Sequence, residues 1–144
     1  MQFDHGGLEI LDTDECRALL SRAVIGRIVF TDRALPAVQP VNYALHGTDV
    51  VIRTARDSRL ARAATDTVVA FEIDDFDADT RTGWSVVVVG RARLVTEHEQ
   101  IAVLQGLPLH SWVPEERDHF ITVRTELLSG RRIPHTPMAS AKAC

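Results

Sequence analysis

The sequence predicts one mainly β domain, a β-barrel of six or more mostly antiparallel strands with peripheral helices. Short segments rich in branched apolar residues recur along the chain, most are joined by short turns, and three short segments have helical periodicity. A closed sheet of this kind leaves no exposed strand edges. The 144 residues suit one compact domain, which we assign to residues 1–133, and we expect the tail at 134–144 to be flexible.

The first half of the chain contains two predicted helices and three predicted strands. These are a helix at 12–22, strands at 25–31, 37–45 and 50–54, and a helix at 57–64. Asp12 or Thr13 can cap the first helix, and acidic residues follow in its first turn. The sequence DRALP predicts a turn between the first two strands, and HGTD predicts a hairpin turn before the third.

The second half is mostly extended. It contains a predicted strand at 68–73 with both faces buried, an acidic loop at 74–83, a strand at 84–95, a helix at 97–105, and strands at 119–124 and 126–133. The run VVVV indicates a central position in the barrel for the long strand, and Thr96 is the expected cap of the helix. The acidic loop lacks the glycine and terminal glutamate of an EF-hand calcium site, so we interpret it as solvated.

Composition narrows the classes of partner. The formal net charge of −4 does not favour binding to nucleic acid or to an anionic membrane. No apolar run reaches the length of a membrane span, and the N-terminus does not resemble a secretory signal. The two cysteines, Cys16 and Cys144, form neither a disulfide framework nor a zinc motif. We therefore expect a cytoplasmic protein with no nucleic-acid or membrane partner.

The segment VIRTARDSRLA predicts an anion site. Arg53 and Thr54 end a strand, and Ser58 and Arg59 begin the next helix. Backbone N–H groups at a helix start favour negative charge, and arginine adds bidentate, charge-assisted hydrogen bonds. Two guanidinium groups and two hydroxyls in this arrangement suit a phosphate dianion. The alternative is that both arginines are solvated surface residues and Ser58 only caps the helix.

Several segments in this order resemble the pyridoxamine 5'-phosphate oxidase-like family, the FMN-binding split β-barrels, and within it the small actinobacterial-type members. The segments are GRIVFTDRALPAVQPVNYAL, VIRTARDSRLARA, VVAFEIDDFDADTRTGWSVVVVGRARLV, LPLHSW and SGRRI. Side chains fill the interior of a small barrel, so the cofactor lies outside it. The resemblance implies a homodimer with FMN between two barrels, in two equivalent sites.

The resemblance also assigns residues to the flavin ring. Pro40, Val41 and Asn42 are expected to run along the isoalloxazine, where a backbone N–H reaches the N5 region. Ser85 stands where relatives contact the pyrimidine edge, and Trp84 is expected to stack on the ring or close the pocket rim. As alternatives, Pro40 marks an edge strand and Trp84 packs in the dimer interface.

Further residues are expected to come from the partner subunit. The resemblance implies that Trp112 and Arg131 reach the partner's site, and that Arg131 or Arg132 completes its anion pocket. Longer relatives carry a basic residue where this chain has Leu60. That difference leaves room for another phosphorylated flavin-like cofactor, such as the deazaflavin F420.

The resemblance implies an FMN-dependent oxidoreductase that transfers a hydride through flavin N5 to an unknown acceptor, with no catalytic residue identified. The first alternative is an F420-dependent reductase. The second is a non-catalytic module that binds or senses flavin or haem, with His110 and His119 as the residues a haem would need. Oxidation of pyridoxamine phosphate itself is a weaker hypothesis, because few basic residues remain to bind the phosphate of that substrate beside the flavin.

Overall fold

The computed structural model describes residues 1–109 and 119–134. Its helices are α1 (Thr13–Arg22), α2 (Arg59–Ala63) and α3 (His98–Leu104). Its strands are β1 (Gln2–Phe3), β2 (Glu9–Ile10), β3 (Ile25–Asp32), β4 (Leu35–His46), β5 (Asp49–Thr54), β6 (Thr67–Asp77), β7 (Thr82–Leu94), β8 (His119–Val123) and β9 (Leu127–Ile133). Among these residues, no helix is long and apolar enough to cross a membrane.

Six strands close into an antiparallel barrel. The order is β7–β6–β3–β4–β5–β8, and β8 returns to pair with β7. The first part of β7 pairs with β9 and its last part with β8. Gly90 lies between the two parts, where a Cβ atom would collide with the Arg124 carbonyl oxygen, so the seam requires glycine. The prediction of a closed, mainly β barrel with helices outside is confirmed.

Side chains fill the barrel interior. Alternate residues of the strands point inward, and Ile28, Phe71 and Val88 have no solvent exposure. The Phe71 ring packs edge-on against Tyr43 with 4.7 Å between ring centroids. The same ring occupies the space that a side chain at Gly26 would need. A core filled in this way holds no room for a large ligand, as the sequence predicted, so any cofactor site lies outside the barrel.

Local signals placed most of the elements correctly. Asp12 caps α1, where its carboxylate accepts a hydrogen bond from the Glu15 backbone N–H at 2.8 Å. The DRALP turn is a two-residue connection in which Arg33 and Ala34 both have positive φ, at 52° and 65°. Positive φ at both central residues is what a type I′ hairpin turn requires.

Three predictions about local structure were wrong. The acidic loop at 74–83 is instead the end of a long hairpin, because β6 continues to Asp77 and pairs with β7 from Thr82 onward. β6 is not buried on both faces: it follows the barrel wall, so its outward side chains meet solvent and Val68 is 56% exposed. Thr96 does not cap α3, because the helix begins one residue later and the residue at its cap position makes no side-chain hydrogen bond.

Two short strands were not predicted, and the predicted tail and domain limits are not tested by the described residues. β1 and β2 were not predicted, because strands of two residues carry no periodic signal. The predicted tail lies outside the described residues from residue 135 onward. Its flexibility and the domain limits therefore stay predictions.

Candidate functional site

The β5–α2 segment, residues 53–59, brings two of the predicted phosphate-binding side chains together. Thr54 is buried, and its hydroxyl lies 2.7 Å from the Ser58 hydroxyl. The Ser58 oxygen also accepts a hydrogen bond from the Ala61 backbone N–H at 3.0 Å. Ser58 is therefore the N-cap of α2, which spans only five residues. The hydroxyl pair fixes the path of the backbone where β5 meets the helix.

The two arginines of this segment have different neighbours. The Arg53 guanidinium lies over the Phe120 ring, 5.3 Å from its centroid, and donates to the Leu109 carbonyl at 3.5 Å. The Arg59 Nε lies 2.7 Å from a carboxylate oxygen of Asp32, and the Arg59 side chain remains 57% exposed. Arg53 precedes Thr54 in the sequence and Arg59 follows Ser58, and each guanidinium group contacts a different part of the barrel.

An open strand edge lies beside the predicted ring-binding residues. β4 pairs with β3 along Leu35–Asn42, but with β5 only along Tyr43–His46. In the described structure, the second edge of residues 35–41 therefore has no partner strand. Pro40 is exposed on this edge, as the edge-strand alternative also expected, and Arg27 stands opposite it on β3. Backbone groups on such an edge are available to a ligand or to a second chain.

Trp84 and Ser85 point to opposite faces of β7. Trp84 stands between Asp75 and Arg132 in the register, whereas Ser85 stands next to Arg131. Since side chains alternate along a strand, these two residues cannot contact one ligand from the same side. The indole borders a groove of about 710 Å³ between the β6–β7 hairpin and the end of β9. Ser85 and Arg131 lie on the outer face of the sheet, which is the surface directed away from the barrel interior and which also carries Arg27 and Glu72.

The two arginines of β9 form ion pairs within their own chain. The Arg131 Nε donates to Asp4 at 3.1 Å, and the Arg132 guanidinium contacts Glu9 at 3.1 Å and Glu15 at 3.2 Å. The Leu8 backbone N–H, opposed in part by desolvation, lowers the pKa of Asp4, and Arg131 adds to this effect. These pairs tie β9 to the N-terminal segment. Trp112, the other residue expected to reach the partner's site, lies outside the described residues, as does His110.

A charged cluster that the sequence did not predict lies on the outer face. One Arg27 nitrogen lies 3.2 Å from a Glu72 oxygen and 3.1 Å from an Asp74 oxygen. Burial, followed by the hydrogen bond and charge of Asp74, raises the pKa of Glu72 to about 7, against the opposing effect of Arg27. The alternation of Glu72 and Asp74 along β6 was a visible signal, but only the β3–β6 register shows that Arg27 meets them.

Metal-binding geometry is absent from the described part of the chain. Within residues 1–109 and 119–134, no three His, Cys, Asp or Glu side chains come together as a metal site. The buried Nδ1 of His119 has no hydrogen-bond partner there. Its register partner is Thr54, so this imidazole lies beside the β5–α2 segment.

Comparison with known proteins identifies the family. A family model described as pyridoxamine 5'-phosphate oxidase matches residues 12–132. The chain belongs to this family. Rv0080 of Mycobacterium tuberculosis is 44% identical over 128 residues, covering 85% of this chain and 84% of that protein. The match confirms the family that the sequence resembles.

Two solved structures extend the comparison to the fold. The FAD-binding protein of Mycobacterium smegmatis has a TM-score of 0.73 and 35% identity, covering 86% of this chain and 96% of that one. The protein DIP1874 of Corynebacterium diphtheriae has a TM-score of 0.75 and 30% identity, covering 88% of this chain and 98% of that one. Similarity over nearly the whole of both structures confirms the split-barrel fold.

Proposed function

We propose that this protein binds a phosphorylated flavin, with FMN as the leading candidate, and acts as a homodimeric oxidoreductase on a small-molecule substrate. The carrying observation is the β5–α2 segment, where Arg53, Arg59 and a hydroxyl pair lie within residues 53–59 of the chain. The FAD-binding protein of M. smegmatis, at 35% identity, supports a flavin as the ligand. A bound flavin supplies hydride transfer at its N5, and the chain binds and orients it.

Each group in the β5–α2 segment has a distinct part in the proposed phosphate site. Arg59 offers charge to the phosphate because its side chain is 57% exposed, while Asp32 holds its Nε. Arg53 contributes a second positive charge above the Phe120 ring. The Thr54 and Ser58 hydroxyls keep the backbone between the two arginines rigid. Charge-assisted hydrogen bonds of this kind are the strong ones in phosphate recognition.

In the proposed homodimer, a second copy of the chain contributes residues to the cofactor site. Arg59 of the phosphate site pairs with Asp32 at one end of β3, and Asn42 of the ring site stands opposite Ile25 at the other end. Asp32 and Ile25 are seven residues apart, which corresponds to about 23 Å in an extended strand. Ser85 and Arg131 lie on the outer face together with Asn42 and Ile25. Two barrels that meet through this face would bring Ser85 and Arg131 of one copy toward the β5–α2 segment of the other.

The flavin ring is proposed to lie along β4, at Pro40, Val41 and Asn42. Val41 and Asn42 are half-buried and Pro40 is exposed, so the strand offers its edge rather than a deep pocket. The groove beside Trp84, at about 710 Å³, is of the size that small-molecule sites have. It is the proposed place for the small-molecule substrate.

A deazaflavin-dependent reductase is the second candidate. Leu60 stands where longer relatives carry a basic residue, and it is fully buried in the core. A charged side chain at that position has no access to a ligand in this chain, so the phosphate site has less positive charge than the fullest form of the family. F420 fits such a site as a loosely held cofactor. A non-catalytic flavin-binding or haem-binding module is the remaining alternative.

A cytoplasmic location belongs to the same proposal. Cys16 is a free thiol buried in the core, and burial raises its pKa. A free, protonated thiol of this kind suits a reducing compartment.

The test is an absorbance spectrum of the purified protein, followed by equilibrium titration with FMN, FAD and F420. The proposal expects saturable binding of FMN with a shift of the flavin bands. Tight binding of F420 alone would replace the leading candidate by the second. Absence of binding by all three would contradict a flavin function. Reduction of the bound flavin by a nicotinamide donor, followed by turnover with an acceptor, separates an oxidoreductase from a binding module.

A further inference from the structure

The outer face of the barrel sheet carries an apolar row that crosses five strands. Val38 stands opposite Val29, which stands opposite Ala70, and the row continues through Val89 to Leu127. Val38 is 63% exposed and Leu127 is 67% exposed. Exposed apolar side chains that line up across a sheet are typical of a surface that another molecule covers.

The neighbouring row places the Arg27–Glu72–Asp74 cluster in the same face. Arg27 stands opposite Glu72 on β6, and Glu72 stands opposite Val87 on β7. Both carboxylates contact the same guanidinium nitrogen, at 3.2 and 3.1 Å. Only 27% of the Glu72 side chain and 23% of the Asp74 side chain are exposed, so the pair is already partly withdrawn from water.

When both carboxylates are ionised, the cluster has two negative charges and only the one positive charge of Arg27. β3 contributes Arg27, β6 contributes Asp74, and β7 contributes the uncharged Val87 and Ser85. The next charged group along the face is Arg131, which Asp4 already neutralises. One proton between Glu72 and Asp74 leaves a neutral set of one guanidinium, one carboxylate and one carboxylic acid.

A second copy of this chain is the occupant that suits the outer face. A two-fold contact places the same surface on both sides, so the guanidinium of one copy can face the carboxylates of the other. The apolar row supplies area on each side, and the cluster supplies charges of both signs. Covering the face removes the remaining water from the cluster, and an unbalanced buried charge is costly.

We propose that two copies associate through the outer face, and that each copy holds one proton between Glu72 and Asp74 in the dimer. The inference rests on the homodimer proposed above and adds its surface and its dependence on pH. The proton comes from solvent and forms an O–H···O hydrogen bond between the two carboxyl groups.

The direction of the pH dependence follows from linkage. Burial and Asp74 already raise the pKa of Glu72 to about 7 in the single chain. Below that pH the proton is present before association, so the dimer dissociation constant is flat. Above it, association takes up one proton per copy, so the logarithm of the dissociation constant rises by up to about two for each pH unit.

The test is sedimentation equilibrium of the full chain at about pH 6 and about pH 8.5, with Glu72→Gln and Asp75→Asn as the variants. Asp75 is the control because it is the next carboxylate on β6 but points to the opposite face, beside Trp84. We expect the wild type and Asp75→Asn to dissociate at least about tenfold more readily at the higher pH. Glu72→Gln should associate equally well at both. Asp74→Asn, which also leaves one carboxylate for Arg27, should behave like Glu72→Gln, and far-ultraviolet circular dichroism confirms that each variant is folded.

The outcomes separate the two proposals. A wild-type dimer with the same dissociation constant at both pH values would overturn the proton-linked association and leave the homodimer standing. A Glu72→Gln dimer that weakens at high pH as the wild type does would also overturn it. A chain that is monomeric at every pH and concentration would contradict the homodimer itself, and the inference with it.

Discussion

The two faces of β3, β6 and β7 differ in whether contacts within a single chain bury them. On the inner face, Ile28, Phe71 and Val88 have no exposure and contact one another within one chain. On the outer face, the neighbouring residues Arg27 and Glu72 belong to a charged cluster beside an exposed apolar row. The inner face therefore accounts for the fold of the single chain. The outer face has features that a single chain leaves uncovered, and the proposed association of two copies rests on them.

The strongest way to test this difference is to remove an inner side chain. Phe71→Ala should lower the free energy of unfolding by about 3–5 kcal/mol, because it leaves a cavity and removes the ring contact with Tyr43. Val38→Ala, on the outer face, should change it by less than about 0.5 kcal/mol. Urea unfolding at low protein concentration measures both. Equal effects would show that the two faces are not energetically distinct.

A second test concerns ligand binding at the β5–α2 segment. Arg59→Ala should weaken flavin binding by about 1.5–3 kcal/mol, the scale of a hydrogen bond to a charged group. Arg62→Ala is the matched control, because it removes the same charge from an exposed position on the same helix. Equilibrium titration gives both affinities. If the two variants lose the same affinity, the effect is one of overall charge and the phosphate lies elsewhere.

A smaller effect is expected from the outer-face cluster on the stability of the single chain. The pKa of Glu72 is raised from 4.5 to about 7, so the folded chain holds a proton between these values that the unfolded chain has lost. The stabilising effect of that proton is fully present below pH 4.5 and is lost as the pH rises through about 7. Glu72→Gln should therefore be more stable than the wild type at about pH 8.5, and close to it near the low-pH limit. Unfolding curves that differ equally at both pH values would contradict this.

The smallest effect is expected at the β3–β4 turn, away from both faces. Ala34 has φ 65°, in the left-handed region that glycine adopts without penalty. Ala34→Gly should stabilise the fold by up to about 1 kcal/mol, after the larger entropy of unfolded glycine is subtracted. Thermal unfolding detects this as a higher melting temperature. A lower melting temperature would show that the turn is not strained.

The inner face could be predicted from the sequence because it follows from local patterns. Runs of branched apolar residues marked β3 and β5, and the capping residues marked α1 and α2. The length of β6 could not be predicted in the same way. Its acidic end has the composition of a loop, and only pairing with β7 shows that the hairpin extends to Asp77.

The residue types of the candidate site were predictable from the sequence, but the directions in which its side chains point were not. The sequence placed Arg53 and Arg59 in one short segment, while their contacts with Phe120 and Asp32 depend on distant strands. Trp84 and Ser85 are adjacent in sequence, and the pleat of β7 sends them to opposite faces. The Arg27–Glu72 pair joins residues 45 positions apart, so only the strand register shows that they meet.

The most direct test of the phosphate site compares FMN with riboflavin, which has the same ring and no phosphate. Titration of the wild-type protein with each, followed by absorbance, isolates what the β5–α2 segment contributes. If Arg53 and Arg59 bind the phosphate, FMN should bind at least about 100-fold more tightly, because riboflavin lacks the two charge-assisted hydrogen bonds that these arginines donate. Equal affinities for FMN and riboflavin would contradict this placement of the phosphate.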